Sequence, residues 1–251
     1  MNRTVFLAGA AGAIGSALVP QLVDAGYLVY GSTRRTDRAA QIERAGATPV
    51  IVDVFDAKAL KDALLRIQPA AVIHQLTDLP PALDPARMPQ AIAGNARIRD
   101  EGTRNLLAAA LAAGSKRFVA QSIAWAYREG AQPYEETQPL DTDAEGNRLV
   151  TVRGVASLET QVLTAPLIGT VLRYGQLYGP GTGSAQAKGA SPVHVDAAAH
   201  ATVLALKHAR AGAFNIAEDN PVVSTGKAKR ELGWSAAWRR TAAAAAMSTA
   251  R

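Results

Sequence analysis

Short apolar runs and longer amphipathic stretches take turns along this chain. Residues 5–8, 27–30, 48–52, 70–74, 116–121 and 167–173 are apolar runs of strand length. Between them, apolar positions recur three and four apart. That spacing predicts helices over 16–23, 36–45, 56–67, 90–113 and 149–163, with Asp56 as a cap and Gly114 as a stop. Asp78 to Pro89 holds four prolines and reads as a loop, as do 125–147 and the Gly-rich 174–191. Two short strands, 192–195 and 214–216, follow. Asp196 is the expected N-cap of a helix to about Ala209, and a last helix covers 224–232. Strands alternating with helices predict an α/β fold, a Rossmann-type doubly wound parallel sheet. The chain reads as one domain over 1–251, with a small C-terminal α/β lobe over about 174–240. The Ala-rich stretch 241–246 reads as a frayed helix or a disordered end.

The first predicted strand runs into Gly9-Ala10-Ala11-Gly12-Ala13-Ile14-Gly15 and then into the first predicted helix. Glycines let the backbone turn sharply and let a ligand approach, and a helix N-terminus offers free N–H groups to phosphate. The spacing G-x-x-G-x-x-G differs from the common dinucleotide fingerprint, but its place between strand and helix is the one that motif needs. Gly9, Ala11, Gly12, Ala13, Ile14 and Gly15 are therefore the candidate pyrophosphate cradle.

Ligands of such sheets bind beyond the carboxyl ends of the strands. Thr33, Arg34 and Arg35 follow the second strand, where an acidic residue would hold the ribose hydroxyls of NAD. Arg instead suits a 2′-phosphate, since its charge is permanent and its fork bidentate. The expected cofactor is NADP rather than NAD. The other strand ends add Asp53, Val54, Gln75, Leu76 and Thr77, then Gln121 and Tyr174, to the candidate cofactor residues. His74, ending a buried strand, reads as packing.

Composition narrows the field without changing it. The 251 residues are 48% hydrophobic and 19% charged, which suits a folded core. No cysteine is present, so disulfides and thiolate chemistry are excluded, and no metal-ligating cluster is expected. No run approaches a membrane span and no signal sequence is evident, which predicts a cytoplasmic protein without a membrane partner. The net charge of +6 comes from scattered residues, so no nucleic-acid partner is expected.

Five stretches in order resemble the extended short-chain dehydrogenase/reductases, the nucleotide-sugar epimerase/dehydratase group. They are the glycine turn, Ile73-His74, Glu101-Gly102-Thr103-Arg104-Asn105-Leu106-Leu107, Leu172-Arg173-Tyr174-Gly175-Gln176-Leu177-Tyr178-Gly179-Pro180-Gly181, and Val193-His194-Val195-Asp196 with the late Lys227-to-Trp234 segment. The resemblance implies a bound NAD(P), a small-molecule substrate, and a homodimer through the helices at 90–113 and 149–163. It also implies a Tyr and a Lys four residues later, which move a proton and hold the nicotinamide ribose. Aligned on Glu159, those positions are Thr151 and Val155, and no Tyr or Lys lies between Tyr134 and Tyr174. The family's hydroxyl position holds Ile123, and its helix Asn is Arg99, with Asn95 out of register. Ser122 and Tyr127 are the remaining catalytic candidates. Arg153 is a candidate cation in place of the Lys, although it cannot shuttle a proton. Only residues 182–191 stand where the family has a long nucleotide-sugar segment. Two functions stay open: an NADP-dependent oxidoreductase or isomerase with a non-standard site and a small substrate, or an inactive NADP(H)-binding redox sensor or regulator.

Overall fold

Strand β1 (Thr4–Ala8) shows why the sheet is covered on both faces. Successive side chains of a strand point to opposite sides. Val5 and Leu7 join one apolar cluster, while Phe6 and Ala8 join another. β1 pairs in parallel with β2 (Leu28–Thr33) on one side and β4 (Ala71–His74) on the other. β3 (Thr48–Ile51) lies outside β2, and β5 (Arg117–Ile123) and β6 (Ile168–Tyr174) follow β4. The computed structural model describes residues 2–80 and 84–240. The Ala-rich stretch 241–246 lies outside them.

The first cluster is closed by α1 (Ala13–Asp24), α2 (Ala39–Arg44) and α7 (Val195–His208). The second is closed by α3 (Ala57–Ile67), α5 (Thr103–Ala112) and α6 (Gly146–Thr164). The sheet ends at β9 (Gly212–Ile216), which pairs in parallel with β6, so the order is β3-β2-β1-β4-β5-β6-β9. That is the expected doubly wound parallel sheet. Its order reverses between β1 and β4, which places the ligand crevice there.

Four expectations are corrected. The helix expected over 90–113 is α4 (Met88–Arg97), a π-helical turn Ile98–Gly102, and then α5. The stretch expected as loop over 174–191 begins with β7 (Gln176–Tyr178), which pairs with β8 (Pro192–His194). Gly175 allows this, because a β-carbon there would sit 1.8 Å from the Ser191 carbonyl oxygen. Helix α7 is capped by His194 rather than Asp196, because the His194 Nδ1 accepts from the Asp196 N–H at 3.1 Å. The last helix, α8 (Gly226–Leu232), starts two residues later than expected. Among the described residues, no helix is long and apolar enough to cross a membrane.

Candidate functional site

Beyond the ends of β1, β2 and β4 lies a cleft of about 240 Å³. Its floor is the glycine turn. Gly9 has φ of 91°, and a β-carbon there would lie 2.8 Å from the Gln75 carbonyl oxygen. A β-carbon on Gly15 would lie 2.1 Å from the Gly9 carbonyl oxygen. These two glycines bring α1 against the strand ends. Gly12 differs: its β-carbon would meet only the Gly9 oxygen, at 3.3 Å, and the residue is exposed toward the cleft. Gly12 is the N-cap of α1 and supplies no side chain, so the first N–H groups of the helix are left for a ligand. Backbone donors and a helix N-terminus suit a pyrophosphate. The turn therefore fits a dinucleotide.

Thr33, Arg34 and Arg35 rim one end of the cleft with Arg38, and Asp53, Val54, Gln75, Leu76 and Thr77 close it. The Arg34 side chain is 60% exposed and reaches Asp78 at 3.3 Å, a pair too open to hold it firmly. Arg35 pairs with Asp37 in the same exposed way. Asp53 accepts from the Phe55 N–H at 2.9 Å, which turns the chain out of β3. Asp78 and Phe55 also line the cleft and were not expected there. Asp78 lay hidden in a proline-rich stretch that reads as a loop.

Two expected cofactor residues stand behind the wall. Gln121 donates to the Leu76 carbonyl at 2.8 Å and so braces it. Tyr174 is buried, with its hydroxyl 2.9 Å from Thr202 and its partner Gln75 at 3.4 Å. Burial pushes the Tyr174 hydroxyl up to about 12. Ala13, Ile14 and Gly15 form the first turn of α1 behind Gly12.

The catalytic candidates lie in a closed polar network between β5, β6 and α6. Ser122 is buried and donates to Glu159 Oε1 at 2.7 Å. Arg173 clasps the same carboxylate, Nε to Oε1 at 2.9 Å and Nη2 to Oε2 at 2.6 Å. Its other nitrogen donates to the Tyr127 hydroxyl at 2.9 Å, and Tyr127 donates to Asn215 Oδ1 at 2.5 Å. Burial works against the Arg173 charge, but the Glu159 carboxylate more than offsets it and the pKa is raised. Burial likewise raises the Tyr127 pKa, with Arg173 opposing. Both hydroxyls thus have their protons committed inside the network.

Helix α6 offers no cation at Thr151 or Val155; its Arg148, nearer the N-terminus, donates to the Trp125 and Tyr127 carbonyls. Thr151 turns its hydroxyl back to the Asn147 carbonyl at 3.0 Å, Val155 is buried, and Arg153 is exposed. Arg99, in the π turn, lies against this helix instead: a β-carbon on Gly154 would lie 3.5 Å from its Cδ. Burial pulls the Arg99 guanidinium down to about 10, with Glu159 opposing, so it stays charged at neutral pH. His74, fully buried at the end of β4, is pushed down to about 4 by burial and then by Arg99. The sequence signal for Arg99 was the replacement of an Asn three residues before Gly102. Among the described residues, no metal-ligating cluster exists.

A "3-diazoavenalumate denitrifying reductase" from a Streptomyces species is 39% identical over 238 residues, covering 86% of this chain and 76% of that protein. UDP-glucose 4-epimerase from Stenotrophomonas maltophila, solved with NAD and formylated UDP-arabinopyranose, superposes with a TM-score of 0.75 at 19% identity, covering 98% of this chain and 96% of that one. The Thermotoga maritima UDP-glucose 4-epimerase with UDP-glucose gives 0.73 at 19%, with the same coverage. Residues 5–235 match the NAD dependent epimerase/dehydratase family as a whole. With the glycine turn, the seven-stranded parallel sheet and a family match over nearly its full length, this chain belongs to the NAD-dependent epimerase/dehydratase family.

Proposed function

We propose that the protein is an NADP(H)-dependent reductase that gives hydride to a small electrophile needing no proton from the protein. The observation that carries this reading is the contrast inside one site. The cleft keeps a glycine floor, free helix donors and an arginine rim, while the hydroxyls beside it are locked and the Tyr/Lys pair is replaced by Thr151 and Val155. The Stenotrophomonas maltophila epimerase is named with NAD bound, which supports a nicotinamide dinucleotide. The exposed Arg34 and Arg35, with no acid at the end of β2, favour the 2′-phosphate form.

The bound dihydronicotinamide would supply the hydride. Gly12 and the first turn of α1 would hold its pyrophosphate, and Arg34 and Arg35 its 2′-phosphate. Carbonyl reduction leaves an alkoxide that wants a proton, and losing a placed acid costs about 10²–10⁴-fold. A diazonium carbon has no such need. As its C–H bond forms, the C–N bond breaks, the electron pair leaves with N₂, and no proton moves. The relative named for a diazo compound makes this the leading substrate class.

The test is NADPH oxidation with 4-carboxybenzenediazonium beside a panel of aldehydes and ketones. Turnover of the diazonium to benzoate and N₂, unaltered in Ser122→Ala and Tyr127→Phe, is expected. Faster turnover of a carbonyl, lost in either variant, would overturn the reading. Tight NADPH binding with no turnover of any compound would instead support a redox sensor.

A further inference from the structure

Among the described residues, one cation near the cleft, Arg99, makes no side-chain hydrogen bond or ion pair. Arg99 sits in the π turn between α4 and α5. Such turns recur at functional sites because they re-aim a side chain within a helix. Here the turn lays the Arg99 stem against α6, where Gly154 leaves the room and where Ala96 packs 3.0 Å from the same point. The side chain is mostly buried, and among the described residues no hydrogen bond or ion pair reaches its guanidinium. The Glu159 charge acts on it, but the two Glu159 oxygens already take Ser122 and the Arg173 Nε and Nη2.

Buried charges are paired as a rule, since an unpaired one forfeits its hydration. The Glu159–Arg173 pair is neutral, so Arg99 leaves this interior with a positive charge in surplus. Its position gives that surplus a use. Ile98, the preceding residue, lines the cleft, and His74 at the end of β4 feels the Arg99 charge. Arg99 thus stands between the cleft wall and the part of α6 that lacks a cation. Its fork matches a carboxylate or phenolate, and its permanent charge fits it to hold an anion rather than to move a proton.

We propose that Arg99 is the anion-holding residue of the substrate site, receiving an anionic oxygen carried by the molecule that is reduced. The proposal rests on the reductase reading of the cleft and names the substrate class as oxyanions.

The experiment compares 4-hydroxybenzoate with its neutral methyl ester, titrated calorimetrically into the NADP⁺-saturated protein. Wild type is expected to bind the acid at least about tenfold better than the ester. Arg99→Met should bind the acid no better than the ester, Arg99→Lys should keep most of the preference, and all three proteins should bind NADP⁺ alike. Removing a mostly buried cation that makes no ion pair among the described residues should leave the melting temperature of Arg99→Met at or above that of wild type. No acid preference in wild type, or a preference kept in Arg99→Met, overturns the proposal. Displacement of 4-hydroxybenzoate by equimolar inorganic phosphate would make this a free-anion site and overturn it too. Failure of wild type to bind NADP⁺ would sink the cofactor reading instead, with the acid preference then read on the unliganded protein.

Discussion

At the β1–β4 crevice, the first N–H groups of α1 face a cleft with no side chain to take them, and Arg34 and Arg35 hold only exposed carboxylates. Under α6, a few residues away, Ser122, Glu159, Arg173, Tyr127 and Asn215 take up one another's hydrogen bonds. Both regions sit at the carboxyl edge of one sheet. The first leaves its donors unspent, which is what a binding surface must do. The second spends its hydroxyl protons internally, which fixes β6 to α6. The difference teaches that polar residues at the carboxyl edge of one sheet can serve the fold in one place and stay open to a ligand in another.

The comparison is broken most severely by Glu159→Ala. It leaves the 6%-exposed Arg173 side chain unpaired, which should cost about 3–5 kcal/mol of stability in denaturant unfolding. A cost below about 1 kcal/mol would show that the network is not a structural clasp. His74 comes next. Its folded pKa is depressed to about 4, so the unfolded state binds the extra proton between about pH 6.5 and 4. Stability should therefore fall by about 3 kcal/mol as pH drops through that window. His74→Asn should remove that part of the slope, and an unchanged slope would show that the ring titrates normally.

Gly12→Val puts a branched side chain into the cleft while disturbing only the Gly9 carbonyl. It should lose about 100-fold in NADPH affinity, about 2.7 kcal/mol, with melting little changed. Unaltered affinity would move the cofactor elsewhere. The smallest effect is Arg34→Ala, which should weaken NADPH about tenfold more than NADH. Equal losses in the two titrations would remove the 2′-phosphate assignment.

Much of this was legible in the sequence because it is local. The glycine turn, the strands and the Asp56 cap each follow from a few adjacent residues, and Asp56 does accept from the Ala59 N–H at 2.9 Å. The π turn was not legible, since the apolar periodicity over 90–113 runs through it unbroken. Nor was the pairing of β7 with β8, which joins segments either side of a Gly-rich stretch. The commitment of Ser122 and Tyr127 was hidden for the same reason. Residue type announces a hydroxyl, but only the fold brings Glu159 and Arg173 to it.

Tracing the transferred hydrogen tests the central claim most directly. With 4-deuterated NADPH in ordinary water, benzoate formed from 4-carboxybenzenediazonium should carry deuterium at the carbon that lost nitrogen. With unlabelled NADPH in D₂O it should carry none. Solvent deuterium at that carbon, or a product that keeps its nitrogen, would contradict hydride transfer without a protein acid.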